Sequence, residues 1–204
     1  MKIFIKQQNT GFTHTPKFGV TPRRGGFTLV ETLVAISVFT MSVLTLVIIL
    51  AQGISDTNYA KQKIIAGYLA QEGAEYMRNL RDSKVISAVN AETGWNDFKT
   101  QIINCIDPGA CYFDDSSLLI GQDITQTIFS SCDSPSSCPE LYYSSSSGMY
   151  NYDNIGGKKS GFIRRIVVNL INVNEIKVTS TVSWNQSSGQ RQVIFSENLF
   201  NWIE

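Results

Sequence analysis

The pattern of apolar and polar positions changes character three times along the chain. From Phe27 to Leu50 nearly every position is apolar, and Glu31 is the only charge. As a helix these 24 residues would be about 36 Å long, enough to cross a hydrocarbon layer of ~30 Å. After Leu50 the apolar positions thin into a stripe. Ile64, Ile65, Tyr68, Leu69, Tyr76, Met77 and Leu80 recur at helical spacing, with Lys61, Lys63, Glu75, Arg78 and Arg81 on other faces. No proline stands between Pro22 and Pro108, so the pattern predicts one helix over about 27–82, ending near Asp82-Ser83.

The periodicity weakens over 83–160. Trp95, Phe98, Ile102 and Ile103 predict a short helix over 94–104, with Thr93 or Asn90 as its cap. Ser117–Ile120 and Leu141–Ser144 are strand candidates. Serine and glycine are frequent in 130–161, as in Ser144-Ser145-Ser146-Ser147-Gly148, which predicts exposed, mobile loop. Tyr142, Tyr143, Tyr150 and Tyr152 in that loop offer two roles, packing onto a sheet or forming an adhesive, sugar-binding surface. Packing is the more common use of such tyrosines.

Residues 161–199 carry the clearest strand signal: 161–171 is rich in isoleucine and valine, and 175–184 alternates at period two. Strands are predicted at 161–171, 175–184 and 190–198, with turns at 172–174 and 185–189. Ile176, Val178, Ser180, Val182 and Trp184 share one face; Lys177, Thr179, Thr181 and Ser183 share the other. The expected fold class is α+β. A long N-terminal helix carries an antiparallel meander whose apolar face rests on helix residues 53–82. The chain then divides into a leader (1–26), a membrane-length helix (27–50) and a globular part (51–204) with a loop region at 83–160.

Charge sharpens the first boundary. The chain has 17 basic and 17 acidic residues, but 1–26 holds Lys2, Lys6, Lys17, Arg23 and Arg24 and no acid. The remainder is therefore acidic, with 12 basic against 17 acidic residues. A basic flank before an apolar span predicts that this end stays in the cytoplasm and the rest crosses. Five charges spread over 26 residues make a poor nucleic-acid patch, and no nucleic-acid partner is indicated. A secretory signal is also a poor match, because its apolar region usually runs only about 7–15 residues. A plain, uncut membrane anchor stays open at this stage.

The four cysteines, Cys105, Cys111, Cys132 and Cys138, all lie beyond the apolar span. On the far side of the membrane disulfides are expected. Three pairings exist for four cysteines. Equal gaps of five residues suggest the local pairs Cys105–Cys111 and Cys132–Cys138, worth roughly 2 kcal/mol each on the loop-closure model. Zinc and free thiols are the alternatives. The spacing is not that of a C-x2-C zinc site, so no metal is assigned.

The string Gly26-Phe27-Thr28-Leu29-Val30-Glu31-Thr32-Leu33-Val34-Ala35-Ile36 resembles the processing site of type IV prepilins and type II secretion pseudopilins. The resemblance is dense over 23–50. It implies that a membrane-embedded prepilin peptidase cuts after Gly26 and N-methylates Phe27. It further implies a filament subunit, either a minor pilin or a pseudopilin. Its other partners would be further subunits and an inner-membrane assembly platform. A Glu31 carboxylate costs roughly 2.5–3.5 kcal/mol at the centre of a membrane helix and calls for a partner. In the family that partner is the Phe27 amine of a neighbouring subunit. Before release the chain would sit in the inner membrane in a single pass; afterwards it would belong to an extracellular or periplasmic filament.

Catalytic sets are missing from the sequence. His14 is the only histidine and lies in the leader, which removes histidine triads from the processed chain. No G-x-x-x-x-G-K-[ST] loop occurs. Asp114-Asp115 reads as a solvated turn, with calcium as the lesser option. No enzyme activity and no cofactor are expected. A non-polymerising, membrane-anchored binding module that uses loops 130–160 is the competing function.

Overall fold

A computed structural model describes residues 25–114, 129–132, 137–186 and 188–201. The chain divides into two compact units, Met1–Leu50 and Ala51–Glu204. Helix α1, Leu29–Ser87, starts in the first and continues through the second. The architecture is a long apolar N-terminal helix followed by an antiparallel sheet, an α+β pilin-like fold.

In the first unit every described residue is exposed, including Leu29, Val30, Phe39 and the run Leu46–Leu50. The protein's own core therefore does not cover this apolar stretch. The hydroxyls of Thr32, Ser37, Thr40, Ser42 and Thr45 donate to carbonyls three or four residues back on the same helix. Each donor is satisfied without a neighbouring chain, which lowers the cost of placing these residues in hydrocarbon.

In the second unit α1 lies against a sheet of seven described strands: β1 Cys111–Phe113, β2 Phe129–Ser131, β3 Glu140–Ser144, β4 Tyr150–Asn151, β5 Gly157–Asn172, β6 Glu175–Gln186 and β7 Gly189–Phe200. All strand pairs are antiparallel. The expected meander is present as β5–β6–β7, joined in register from Ile163↔Ser183 and Glu175↔Phe200. It is not the whole sheet. The other edge of β5 is shared by β3, which pairs around Tyr142↔Lys159, and β1, which pairs at Cys111↔Ile166.

The region 83–160 holds more regular structure than the expected helix and two strands: the strand candidate Leu141–Ser144 lies in β3, and β1, β2, β4 and a 3-10 turn are added to it. Helix α2 is Ala91–Gln101, three residues earlier than expected, and the 3-10 turn is Ile103–Cys105. Of the two candidate caps, Asn90 is used: its side chain accepts from the Thr93 N–H at 2.8 Å. The strand candidate Ser117–Ile120 lies outside the described residues, as does Asp115.

Helix α1 also runs five residues past its expected end at Asp82. Arg81 Nε sits 2.6 Å from Asp82 Oδ1, and Arg81 donates to the Phe200 carbonyl at 3.0 Å. Held this way, Asp82 stays helical instead of turning the chain. The helix stops where α2 crosses it. A Cβ on Gly94 would stand 2.6 Å from Val85 Cα, so only glycine permits that approach.

Two apolar clusters form the core. One gathers Tyr76, Met77 and Leu80 with Trp95, Phe98, Ile102, Ile166, Val168, Ile176 and Val178. The other gathers Ala66, Leu69 and Ala70 with Leu141, Phe162, Val182 and Trp184. Ile64 and Tyr68, expected in the stripe, are instead 60% and 70% exposed. Small residues replace them. Ala66, Ala70, Gly73 and Ala74 face the sheet, and their size lets the helix backbone come close.

A polar layer separates the clusters. Arg164 of β5 is 1% exposed, lies 3.1 Å from Glu72 Oε2, and stacks 4.4 Å above the Phe113 ring. Ser180 of β6 is fully buried, and a Cβ on Gly73 would meet its Oγ at 2.5 Å. Alanine raises intrinsic helix stability by about 1 kcal/mol over glycine. Overpacking typically costs about 1–3 kcal/mol. Gly73→Ala is therefore expected to lower stability in urea unfolding of the full chain, by about 1 kcal/mol net. Ser180→Ala, whose Oγ has no hydrogen-bond partner among the described residues, should be near neutral alone and should rescue most of that loss. Additive losses would show that the helix does not approach the sheet at this layer.

Candidate processing and assembly site

The junction between leader and helix is built by one side chain. Thr28 Oγ1 accepts the Glu31 backbone N–H at 3.2 Å, and the Thr28 carbonyl accepts the Thr32 N–H at 3.1 Å. Thr28 is thus the N-cap of α1, and helical structure begins at Leu29. The sequence signal for this was present but not used above. Thr28-Leu29-Val30-Glu31 has the spacing of a capping box, S/T-x-x-E. The structure contains the half made by Thr28.

The cap leaves Gly25, Gly26 and Phe27 outside the helix. Phe27 is 78% exposed, and a Cβ on either glycine would touch nothing within 4 Å. The Gly26–Phe27 peptide bond is therefore in non-helical, open backbone. Neither glycine is required by packing in the chain itself.

Glu31 stands in the first turn of α1, where its charge favours the N-terminal end of the helix dipole. Its carboxylate has no hydrogen bond or ion pair among the described residues. The geometry therefore brings Gly26, Phe27, Thr28 and Glu31 onto one short stretch, and leaves the acid available. Among the described residues, α1 is the one helix long and apolar enough to cross a membrane.

The cysteines form a separate feature. Cys105 is bonded to Cys111, and Cys132 to Cys138, each across six positions. All four are buried. The first bridge ties the 3-10 turn to β1, and the Cys132 N–H donates to the Ala110 carbonyl at 2.7 Å. No cluster of three or more histidine, cysteine, aspartate or glutamate side chains suited to a metal occurs among the described residues. His14 lies outside them. Three of the four tyrosines of the 130–160 region make ring contacts: Tyr143 lies 5.1 Å from Tyr150, and Tyr152 lies 5.0 Å from Tyr112. Burial, and secondarily Tyr143, pushes the Tyr150 hydroxyl above its usual pKa, so it remains a donor at neutral pH.

An open peptide bond, a capped apolar helix and, one turn inside, an acid with no partner among the described residues lie together at this junction. The comparison with known families agrees. Residues 21–49 match the prokaryotic N-terminal methylation motif, the signature of type IV prepilins and pseudopilins. The match covers the junction and the apolar half of α1. No curated protein and no solved structure matches the chain. The motif supports a pilin- or pseudopilin-like processed subunit, and with the apolar helix it fits an anchor in the inner membrane.

Proposed function

We propose that this chain is a minor pilin or pseudopilin, cut after Gly26 by a prepilin peptidase and built into a filament. The observation that carries the proposal is the open Gly26–Phe27 bond directly before the capped apolar helix, inside the methylation motif. Hydrolysis of that bond leaves a carboxylate on Gly26 and an ammonium on Phe27. Methylation of the new amine keeps it basic, so the positive charge remains. Residues 1–26, with their five basic side chains, stay on the cytoplasmic side, and residues 51–204 lie outside. Removing the leader frees the helix for extraction from the membrane by an assembly platform.

In the filament Glu31 of one subunit pairs with the Phe27 ammonium of its neighbour. The pair neutralises two charges that would each be costly in an apolar bundle. The exposed side chains Leu29, Leu33, Ile36, Phe39 and Val47 supply packing between subunits.

Gly26→Ala tests the proposal, because the glycine has open space around it and the fold does not need it. In cells with an active prepilin peptidase, the wild-type chain should lose its leader on immunoblots and Gly26→Ala should keep it. Equal processing of both would remove the assigned role of Gly26.

A further inference from the structure

A groove of about 530 Å³ opens between the Ser55–Ile65 stretch of α1, the β4 strand, the start of β5 and the end of β6. That volume falls in the ~300–1,000 Å³ range of small-molecule sites. It lies wholly within residues 51–204 and depends on neither cleavage nor assembly, so it stands apart from the function proposed above.

Its walls have two kinds of surface. The half-buried ring of Tyr150 gives an aromatic surface, backed by the buried core residue Phe162 with ring centroids 6.0 Å apart. Asn58 and Gln62 from the helix, and Asn185 and Gln186 from the end of β6, supply four carboxamides. None of these four side chains has a hydrogen-bond partner among the described residues. Asn58 and Asn185 are exposed, and Gln62 and Gln186 are half-buried. Lys61 is the one cation on the lining, and no carboxylate is found there.

A carboxamide offers two donors and an acceptor without charge. Vicinal hydroxyls, which both donate and accept, are its natural complement. A pyranose ring also has a C–H face that packs on an aromatic ring. A phosphate site would instead concentrate arginines and lysines. An extended peptide would add to an open sheet edge, whereas this groove runs along the seam of helix and sheet. We propose that the groove binds a neutral oligosaccharide, with a sugar ring on Tyr150 and its hydroxyls on the carboxamides of Asn58, Gln62, Asn185 and Gln186.

The test is saturation-transfer NMR on the full chain in a sugar-free zwitterionic detergent. Maltohexaose, cellohexaose and chitohexaose serve as separate probes, with glycerol 3-phosphate as the anionic control. At least one hexasaccharide should show transfer to its ring protons. Asn58→Ala and Gln62→Ala, at non-core helix positions compatible with alanine, should each weaken that binding about tenfold. Asn96→Ala on α2 should leave it unchanged. The proposal is overturned if no hexasaccharide shows transfer. It is equally overturned if binding survives in the Asn58→Ala/Gln62→Ala double variant, or if only glycerol 3-phosphate binds.

Discussion

Glu31→Val is expected to leave cleavage at Gly26–Phe27 intact and to remove nearly all of the chain from sheared filaments. The side chain caps nothing by itself, since the helix start depends on the Thr28 hydroxyl and the Glu31 backbone N–H. Valine keeps that N–H and suits an apolar helix, so membrane insertion should not suffer. What is lost, on the proposed pairing, is the partner of a neighbouring ammonium. Breaking a buried pair by deleting one member typically costs about 3–5 kcal/mol, because the other charge stays behind. That corresponds to a fall of roughly two to four orders of magnitude in the equilibrium for incorporation. Quantitative immunoblotting of sheared filaments against total cells reads this directly. Normal filament yield from the valine variant would remove the ion pair from the mechanism. Glu31→Asp gives a useful contrast, since it keeps the charge on a shorter stem and should retain part of the yield.

The second large effect lies in the polar layer of the globular part. Glu72→Ala should destabilise the chain by about 3 kcal/mol, near the low end of the range for broken buried pairs. The low end is appropriate because the Glu72 side chain is 40% exposed while Arg164 is 1% exposed. Removing the acid leaves a guanidinium buried between two apolar clusters, against the Phe113 ring and the Phe113 carbonyl. Arg164→Met should be milder, at under about 1.5 kcal/mol. It fills similar space without charge, and the half-exposed Glu72 can hydrate. Urea midpoints of the two variants decide the matter. Equal losses, or a larger loss for Arg164→Met, would contradict the view that burial is concentrated on the arginine.

Much of this architecture was legible in the amino-acid order, for identifiable reasons. The apolar run Phe27–Leu50 and the alternation through 175–184 are strong periodic signals, and both elements appear where they were expected. On β6, Ile176, Val178, Ser180, Val182 and Trp184 all face the core. The helix stripe was less legible. Counting large apolar residues favours Ile64 and Tyr68, but the buried face is built from Ala66, Ala70, Gly73 and Ala74. Close helix–sheet approach selects small side chains, and hydropathy gives them little weight. Of the short strands, β3 appears where Leu141–Ser144 was expected, whereas β1, β2 and β4 are only two or three residues long and have no full period to detect. The edge of β5 that β6 leaves open is taken by β1 and β3, and β2 and β4 pair onto these.

At the junction, Glu31 stood out because a lone acid in an apolar run is costly and calls for an explanation, and Gly26 and Phe27 followed from the resemblance of the surrounding string to a prepilin processing site. Thr28 did not stand out. Its contribution is a single hydrogen bond that sets where the helix begins, and so keeps the Gly26–Phe27 bond outside it. The groove at Asn58 and Asn185 was beyond reach of the sequence. Its walls come from elements more than a hundred residues apart, and asparagine and glutamine are unremarkable singly.

The central claim is that the working form of this protein begins at Phe27. Intact-mass analysis of the endogenous chain, taken from cells with an active processing peptidase, tests it most directly. The predicted species runs from Phe27 to Glu204 and carries the extra mass of one methyl group on its amino terminus. A chain that still begins at Met1 under those conditions would contradict the account.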